Sequence, residues 1–285
     1  MMKLAVASGK GGTGKTMVAA NLASVLAATE PVTLVDCDAE APNLHLFFPA
    51  VSTSRDVTLP VPVINSEVCT RCRKCAEFCQ YGALTALADR ILFFPELCHS
   101  CGGCMLICPD HAISEENKRI GSVSLATPAR QLRLITGRLD IGGSQVVPVI
   151  RAAKDAAGTN GSIIYDCAPG ISCPVVETLE GCDACLLVTE STPSGLHDLR
   201  LAFDVTLKLG IPAGVIINRS DGNNQPVLDF CAEQDLDVLL TIPFNREIAA
   251  IQCGGHLLAQ EQPAWERSFL ALWQNCRGLS GRQAP

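Results

Sequence analysis

Two groups of residues in this chain have the types and spacing to do chemistry. The first is Gly9-Lys10-Gly11-Gly12-Thr13-Gly14-Lys15-Thr16, which satisfies the pattern G-x-x-x-x-G-K-[ST]. Its glycines let successive backbone N–H groups turn onto phosphate oxygens, and a helix starting there adds partial positive charge. Lys15 then reaches the terminal phosphates and the Thr16 hydroxyl binds Mg²⁺, so ATP or ADP is the expected ligand. The second group is eight cysteines, Cys69-x2-Cys72-x2-Cys75-x3-Cys79 followed by Cys98-x2-Cys101-x2-Cys104-x3-Cys108-Pro109. A four-cysteine zinc site uses paired C-x2-C knuckles and gives no reason for a doubled run of this kind. Short loops carrying three thiolates each suit the corners of an iron–sulfur cubane.

These residues need elements to hold them. Residues 4–7 read as a short buried strand, 9–14 as a loop and 15–28 as an Ala-rich helix, so the glycine loop follows a strand and opens a helix. Pro31 and the apolar run 32–35 start a second strand that ends at Asp36. Apolar runs resume at 163–165, 186–188, 215–217 and 238–240, with helical stretches such as 196–209 and 226–234 between them. The expected fold class is therefore α/β, a P-loop NTPase with a mostly parallel sheet flanked by helices. Between residues 60 and 122 the sequence turns cysteine-dense, and its two cysteine motifs repeat at about 29 residues, from Cys69 to Cys98. That segment, 60–122, reads as a small inserted α+β domain that splits a larger one made of residues 1–59 and 123–285.

Composition narrows the partners. With 22 Lys and Arg against 29 Asp and Glu, the net charge is −7 and no basic run is present, so nucleic acid is not an expected partner. Mean hydropathy is positive, yet polar residues, Gly or Pro interrupt every apolar stretch before the roughly 18 residues a membrane span needs. The segment before Gly9 lacks an apolar core of about 7 to 15 residues, so a targeting segment is not expected. Sixteen cysteines without such a signal point to metal ligation in a reducing compartment, which makes a cytoplasmic location the expectation.

The doubled cysteine spacing resembles that of bacterial two-cluster ferredoxins, in which the fourth Cys of each motif crosses to the other cluster. The resemblance implies two 4Fe-4S clusters, one on Cys69, Cys72, Cys75 and Cys108 and the other on Cys98, Cys101, Cys104 and Cys79. One departure stands out, because Cys79 is followed by Gln80-Tyr81-Gly82 where that pattern has Pro. The loop form K-G-G-T-G-K-T resembles the deviant Walker A loop of the MinD/ParA family and of the nitrogenase iron protein. In those proteins the first lysine, here Lys10, reaches phosphates bound in the partner subunit. An ATP-dependent dimer sandwich is implied, formed with a second copy or a paralogous ATPase, and a second cation facing the transferring phosphoryl group suits the chemistry.

The same resemblance implies roles for other residues. In Asp36-Cys37-Asp38, the second acid, Asp38, corresponds to the switch I residue that positions the attacking water. Asp166, closing Ser162-Ile163-Ile164-Tyr165, corresponds to the switch II acid that holds Mg²⁺ through water, which leaves Lys10, Lys15, Asp38 and Asp166 as the implied catalytic set. Asn218-Arg219 and Pro243-Phe244 resemble adenine-contacting segments, although Asn and Pro at strand ends are also ordinary turn residues. Asp166-Cys167-Ala168-Pro169-Gly170, the segment 188–198 and Ile242-Pro243-Phe244-Asn245 extend the resemblance to MinD-superfamily ATPases with an inserted ferredoxin domain.

Eight cysteines lie outside the insertion: Cys37, Cys167, Cys173, Cys182, Cys185, Cys231, Cys253 and Cys276. Most are expected to be buried apolar side chains, Cys182-x2-Cys185 included despite its chelating spacing. Cys173 follows the implied switch II acid. In the nitrogenase iron protein a cysteine of the corresponding region helps hold a cluster bridging two subunits, so Cys173 is expected to be a redox-active or metal-transfer thiol. The leading functional expectation is an ATPase whose nucleotide-driven dimer closure aligns its clusters with a redox or metallocofactor-binding partner, for electron transfer or metallocofactor maturation. An alternative is a cluster carrier or assembly ATPase, and a third is a spatial-positioning ATPase like MinD or ParA. Against the third stand the acidic charge and the amphipathic stretch 265–276, which lacks the basic face of a stable membrane anchor.

Overall fold

The computed structural model describes residues 1–279. The chain opens with β1 (Lys3–Ala7), α1 (Lys15–Leu26) and β2 (Val32–Asp36). It then runs out along β3 (Ser52–Ile64) into α2 (Lys74–Phe78), β4 (Leu84–Ala86), β5 (Ile91–Phe93) and α3 (Gly103–Ile107). It returns along β6 (Ile113–Ala129) and turns into β7 (Leu132–Leu139) and α4 (Val146–Ala157). A βα alternation completes it: β8 (Ser162–Asp166), α5 (Cys173–Leu179), β9 (Ala184–Glu190), α6 (Pro193–Lys208), β10 (Ala213–Ser220), α7 (Gln225–Glu233) and β11 (Asp237–Pro243). Three helices close the described chain, α8 (Arg246–Cys253), α9 (Leu258–Glu261) and α10 (Pro263–Leu279).

One nine-stranded sheet results, in the order β11-β10-β9-β1-β8-β2-β7-β6-β3. Strands from β11 through β7 are parallel, while β6 and β3 continue the sheet antiparallel at one edge. The alternation of side chains along each strand divides the core by face. Leu4, Val6, Leu34, Ile164, Leu186 and Ile216 point to the layer of α1 and α8 to α10. Their neighbours Ala5, Ala7, Val35, Ile163, Leu187 and Val215 point to α4, α5, α6 and α7. Both faces are covered, which is why β1, β2 and β8 read as unbroken apolar runs. The amphipathic stretch at 265–276 lies in α10, where Phe269, Leu272, Trp273 and Cys276 belong to the core against α1 and so are spent on packing. No helix among the described residues is long and apolar enough to cross a membrane.

The strands β3, β6 and β7 depart from the simple βα alternation. Residues 60 and 122, where composition changes, fall inside β3 and β6, whose ladder pairs Ser52 with Ala126 and ends on Ile64 with Ile113. The cysteine-rich module is thus carried on a continuous ribbon. Pro60 and Pro62 sit on the edge strand β3, where a missing N–H leaves less for another chain to pair with.

Within the module the repeat is visible in the backbone. Ile64 pairs with Ile113 in the ribbon, and Phe93 pairs with Leu84 in the small hairpin, the same two positions exchanged between the halves. Arg71, Arg73 and Gly82 have φ of 61°, 68° and 65°, and their repeat mates Ser100, Gly102 and His111 have 53°, 71° and 49°. Four of these six left-handed residues are not glycine, so the surrounding structure must hold them there.

Candidate functional site

The glycine loop lies between β1 and α1 at the carboxyl edge of the parallel strands, where open α/β sheets place their ligands. Gly14 has φ 98° immediately before α1, and a side chain there would run into the amide of Asn218. That amide donates from Nδ2 to the Thr13 carbonyl at 2.7 Å, so Asn218 braces the loop from below. Gly11, Gly12, Lys15, Thr16, Asp38, Asn43 and Pro169 line a cavity of about 280 Å³ over the loop.

Three interacting carboxylates lie at this end of the sheet, two of them, Asp38 and Asp166, close to Lys15. Asp36 is fully buried and accepts three backbone N–H bonds, from Asp38 at 3.2 Å, Asn43 at 2.9 Å and Leu44 at 3.0 Å. Burial nevertheless pushes its carboxyl up to about 7, and the nearby Asp38 adds to the rise. Half-buried Asp38 is also raised by burial, with Lys15 opposing. Burial raises Asp166 well above the ordinary carboxylate range and Asp36 raises it further, while Thr16 and Lys15 pull it back. Both Asp166 carboxylate oxygens, the Thr13 hydroxyl and Asn43 Oδ1 are buried without a hydrogen-bond partner. Unpartnered buried oxygens are costly alone, and this arrangement suits a nucleotide with Mg²⁺ and its waters.

The expected site residues do not all converge. Lys15, Thr16 and Asp38 line the cavity, and buried Asp166 lies close enough to Thr16 and Lys15 for both to lower its carboxyl. Lys10 turns away, its Nζ 3.6 Å from Glu190 and 3.2 Å from Ser194 Oγ. Arg219, held at φ 54°, reaches the same Glu190 at 2.8 Å. Pro243 ends the edge strand β11 and is not among the residues lining the cavity. The bracing by Asn218, the acceptor role of Asp36 and the partnership of Glu190 with Lys10 were missed by sequence reasoning. Only Asp36 carried a signal, as the first acid of D-x-D.

The eight module cysteines divide into two sets. Cys69, Cys72, Cys75 and Cys108 line one cavity, and Cys79, Cys98, Cys101 and Cys104 line another. Each set takes three cysteines from one motif and the last from the other. Backbone N–H groups already face sulfur, Ser100 to Cys98 Sγ at 3.4 Å and Ala112 to Cys108 Sγ at 3.3 Å. Leu84, Ala112, Ile113 and partly buried Ile64, Ile91 and Phe93 pack around the thiols. Burial pushes the Cys104 thiol up to about 11, so a free thiol there keeps its proton at neutral pH and a bound metal would displace it. Among the described residues no three His, Cys, Asp or Glu converge on a point suited to a single metal ion. Tyr81 and His99 stack beside the second set, ring centroids 3.8 Å apart.

Outside the module, Cys37, Cys167, Cys185, Cys231 and Cys276 are buried, Cys182 is partly buried, and Cys173 and Cys253 are exposed. Cys182 Sγ packs 3.3 Å from the Thr178 carbonyl at the end of α5.

A glycine loop between the first strand and helix of a mostly parallel sheet, facing buried acids at neighbouring strand ends, defines a nucleotide-binding P-loop ATPase. Residues 4–258 match the CobQ/CobB/MinD/ParA nucleotide binding domain, and the chain belongs to that family. Two uncharacterized proteins of Methanocaldococcus jannaschii are similar along nearly their whole length. One is 30% identical over 259 residues, 90% of each chain, and the other 27% over 288 residues, 97% of each. Among solved structures, the septum site-determining protein MinD with Mg-ADP from Pyrococcus horikoshii has a TM-score of 0.60 at 19% identity, covering 98% of this chain and 97% of that one. The Cyanothece McdA–ATP complex has a TM-score of 0.56 at 17% identity, with 98% and 97% covered. At such identities these structures establish the fold alone.

Proposed function

We propose that this ATPase carries two 4Fe-4S clusters beside its nucleotide site and couples nucleotide-driven dimer switching to electron transfer or metallocofactor maturation on a partner protein. The observation that carries the reading is the crossed sorting of eight cysteines into two cavities, one set of four in each. Four thiolates on one zinc ion would stand about 3.8 Å apart, from a Zn–S distance of about 2.3 Å in a tetrahedron. Thiolates at the outer corners of a cubane stand farther apart than that. When bound, such a cluster takes up and releases single electrons.

The protein's own residues supply the rest. Lys15 and Thr16 hold phosphate and Mg²⁺, Asp166 receives the metal's water shell, and Asp38 orients the attacking water. Lys10, on leaving Glu190, supplies a cation to phosphates across a dimer face. Apolar packing around the thiols keeps water from the clusters.

Anaerobic purification or reconstitution tests the reading. It expects about eight irons per chain with reversible reduction, falling to about four in Cys98→Ser/Cys101→Ser. Zinc in place of iron, or one cluster only, would refute it. Labile metal beyond those eight irons, passed to an apo-protein, would favour the carrier reading with Cys173 as a ligand. The positioning reading is supported by the likeness of the fold to that of the septum site-determining protein MinD. It predicts an ATPase cycle indifferent to loss of the clusters.

A further inference from the structure

The cysteine module and the ATPase core meet at the corner where β7 turns into α4, residues 139–148. Resting on the reading just given, we infer that this corner relays the nucleotide state to the second cysteine set, with Lys154 and Arg151 of α4 as the positioning residues.

Two nucleotide-facing loops end on the corner or on α4. Asp38 lines the nucleotide cavity, and the carbonyl of the next residue, Ala39, accepts the Leu139 N–H at 2.8 Å. Pro169 lines the same cavity, and Gly170 donates its N–H to Ser8 O at 3.0 Å, tying that loop to the glycine loop. The loop leads directly into α5. Arg151 grips α5 from its side, Nε and Nη2 lying 3.1 and 2.7 Å from the Glu177 carboxylate oxygens. Lys154 grips its end, Nζ donating to the carbonyls of Glu177, of Thr178 at 3.1 Å and of Glu180 at 2.8 Å. A helix leaves its last carbonyls without intrahelical partners, and here one ammonium collects them. A shift of α5 therefore pulls on α4.

On the other side, the corner holds the module close to one cysteine set. Ser144 Oγ donates to the Glu96 carbonyl at 2.8 Å, two residues before Cys98. Residues 140–145 share a cavity of about 290 Å³ with Glu96, Cys98 and Ser100. Beyond it a cleft of about 680 Å³ separates Tyr81 and His99 from Val146, Pro148 and Cys173. The seam is hydrogen-bonded but loosely filled, so it has room to open and close. Each set's own cavity is lined by module residues alone, but Cys98 of the second set also lines the cavity shared with the corner, where no cysteine of the first set lies. The relay is accordingly one-sided, reaching the set of Cys98, Cys101, Cys104 and Cys79.

Hydrogen exchange of the full chain, prepared anaerobically with and without Mg-ATP, tests this directly. In the wild type, Mg-ATP is expected to change exchange over 167–174 and over 95–104, and to leave 66–75 unchanged. Arg151→Ala/Lys154→Met should keep the response at 167–174 and lose it at 95–104. Ser144→Ala, an exposed change that spares the α4–α5 contacts, should lose the same response and serves if the double variant does not fold. A merely structural role would alter exchange equally with and without nucleotide. Persistence of the 95–104 response in both variants, or a wild-type response as large at 66–75, overturns the relay. Iron content of the same preparations reads the cluster proposal separately, so a chain without iron that still shows the one-sided response refutes that proposal and keeps the relay.

Discussion

Asp166 offers a prediction in which one substitution changes stability and ligand binding in opposite directions. In the unfolded chain an aspartic acid releases its proton near pH 3.9. In the folded, nucleotide-free chain the buried Asp166 carboxyl, with neither oxygen partnered, keeps its proton well above that pH. The native state thus holds a proton that the unfolded state gives up, so stability falls as pH rises from about 4 through neutrality. Each pH unit over which the native state keeps that proton costs about 1.4 kcal/mol of stability. Asp166→Asn removes that penalty, and because its amide is left as poorly partnered as the carboxyl, the cost of the missing hydrogen bonds is common to both proteins and cancels. The variant is therefore expected to be the more stable at pH 7, and each kcal/mol gained corresponds to a rise in Tm of about 2–4 °C for a chain of this size. At pH 5 the penalty is only about 1.5 kcal/mol, so the advantage should be smaller there. Mg-ATP at about a hundred times its Kd should stabilise the wild type by about 2.7 kcal/mol and the variant hardly at all. Thermal melts at pH 5 and pH 7 to 8, with and without Mg-ATP, check all four conditions. A variant less stable than wild type at pH 7, an advantage that does not grow with pH, or full stabilisation by Mg-ATP would refute the reasoning.

Two further substitutions probe the cations. Glu190→Gln releases Lys10 and Arg219 from their shared partner, and because both cations are partly exposed the stability change should stay under about 1 kcal/mol. Sedimentation velocity with Mg-ATP should nonetheless show stronger self-association, and weaker or unchanged association would count against the docked Lys10. Arg71 and Arg73 flank Cys72, where the repeat places Ser100 and Gly102 beside Cys101. Arg71→Ser/Arg73→Gly should therefore lower one cluster midpoint by roughly 20–40 mV per charge, from about 0.5–1 kcal/mol each at partial exposure. Potentiometric titration followed by electron paramagnetic resonance reads it. Equal shifts of both midpoints, or none, would contradict the proposed cluster assignment.

How much could be read beforehand depended on how local each feature is. The glycine loop works through its own backbone, so eight consecutive residues and a flanking strand and helix suffice to recognise it. The cysteine motifs are recognisable from spacing within two short segments, and their crossed sets from the resemblance to two-cluster ferredoxins. By contrast, Lys10 and Glu190 meet only because the sheet order sets β9 beside β1. Asn218 was expected against a nucleotide base, and the bond from its amide to the Thr13 carbonyl is a further contact that depends on β10 lying beneath the loop. The ribbon was hidden for a different reason. Residues 52–56 of β3 and 114–119 of β6 are exposed and polar, so neither strand shows the apolar run that marked β1, β2 and β8.

That ribbon also decides what kind of motion can link the two halves of the molecule. A domain inserted through flexible linkers would keep its orientation free, whereas a hydrogen-bonded ladder running into β7 fixes the module's direction. The ladder has a bulge between Val57 and Thr58, and bulges bend and twist the strand that carries them. From Thr58 to Ile64 the ribbon extends about 20 Å, so a bend of about 5° at the bulge moves the module end by about 2 Å. Arg119 bridges this region, its guanidinium 2.9 Å from Asp56 and 3.1 Å from Asp140 at the β7–α4 corner. A displacement of that size is enough to break or make the 2.8 Å contact between Ser144 and the Glu96 carbonyl. Ribbon and corner therefore act on the same seam, one setting the direction in which the module can swing and the other sensing how far it has moved.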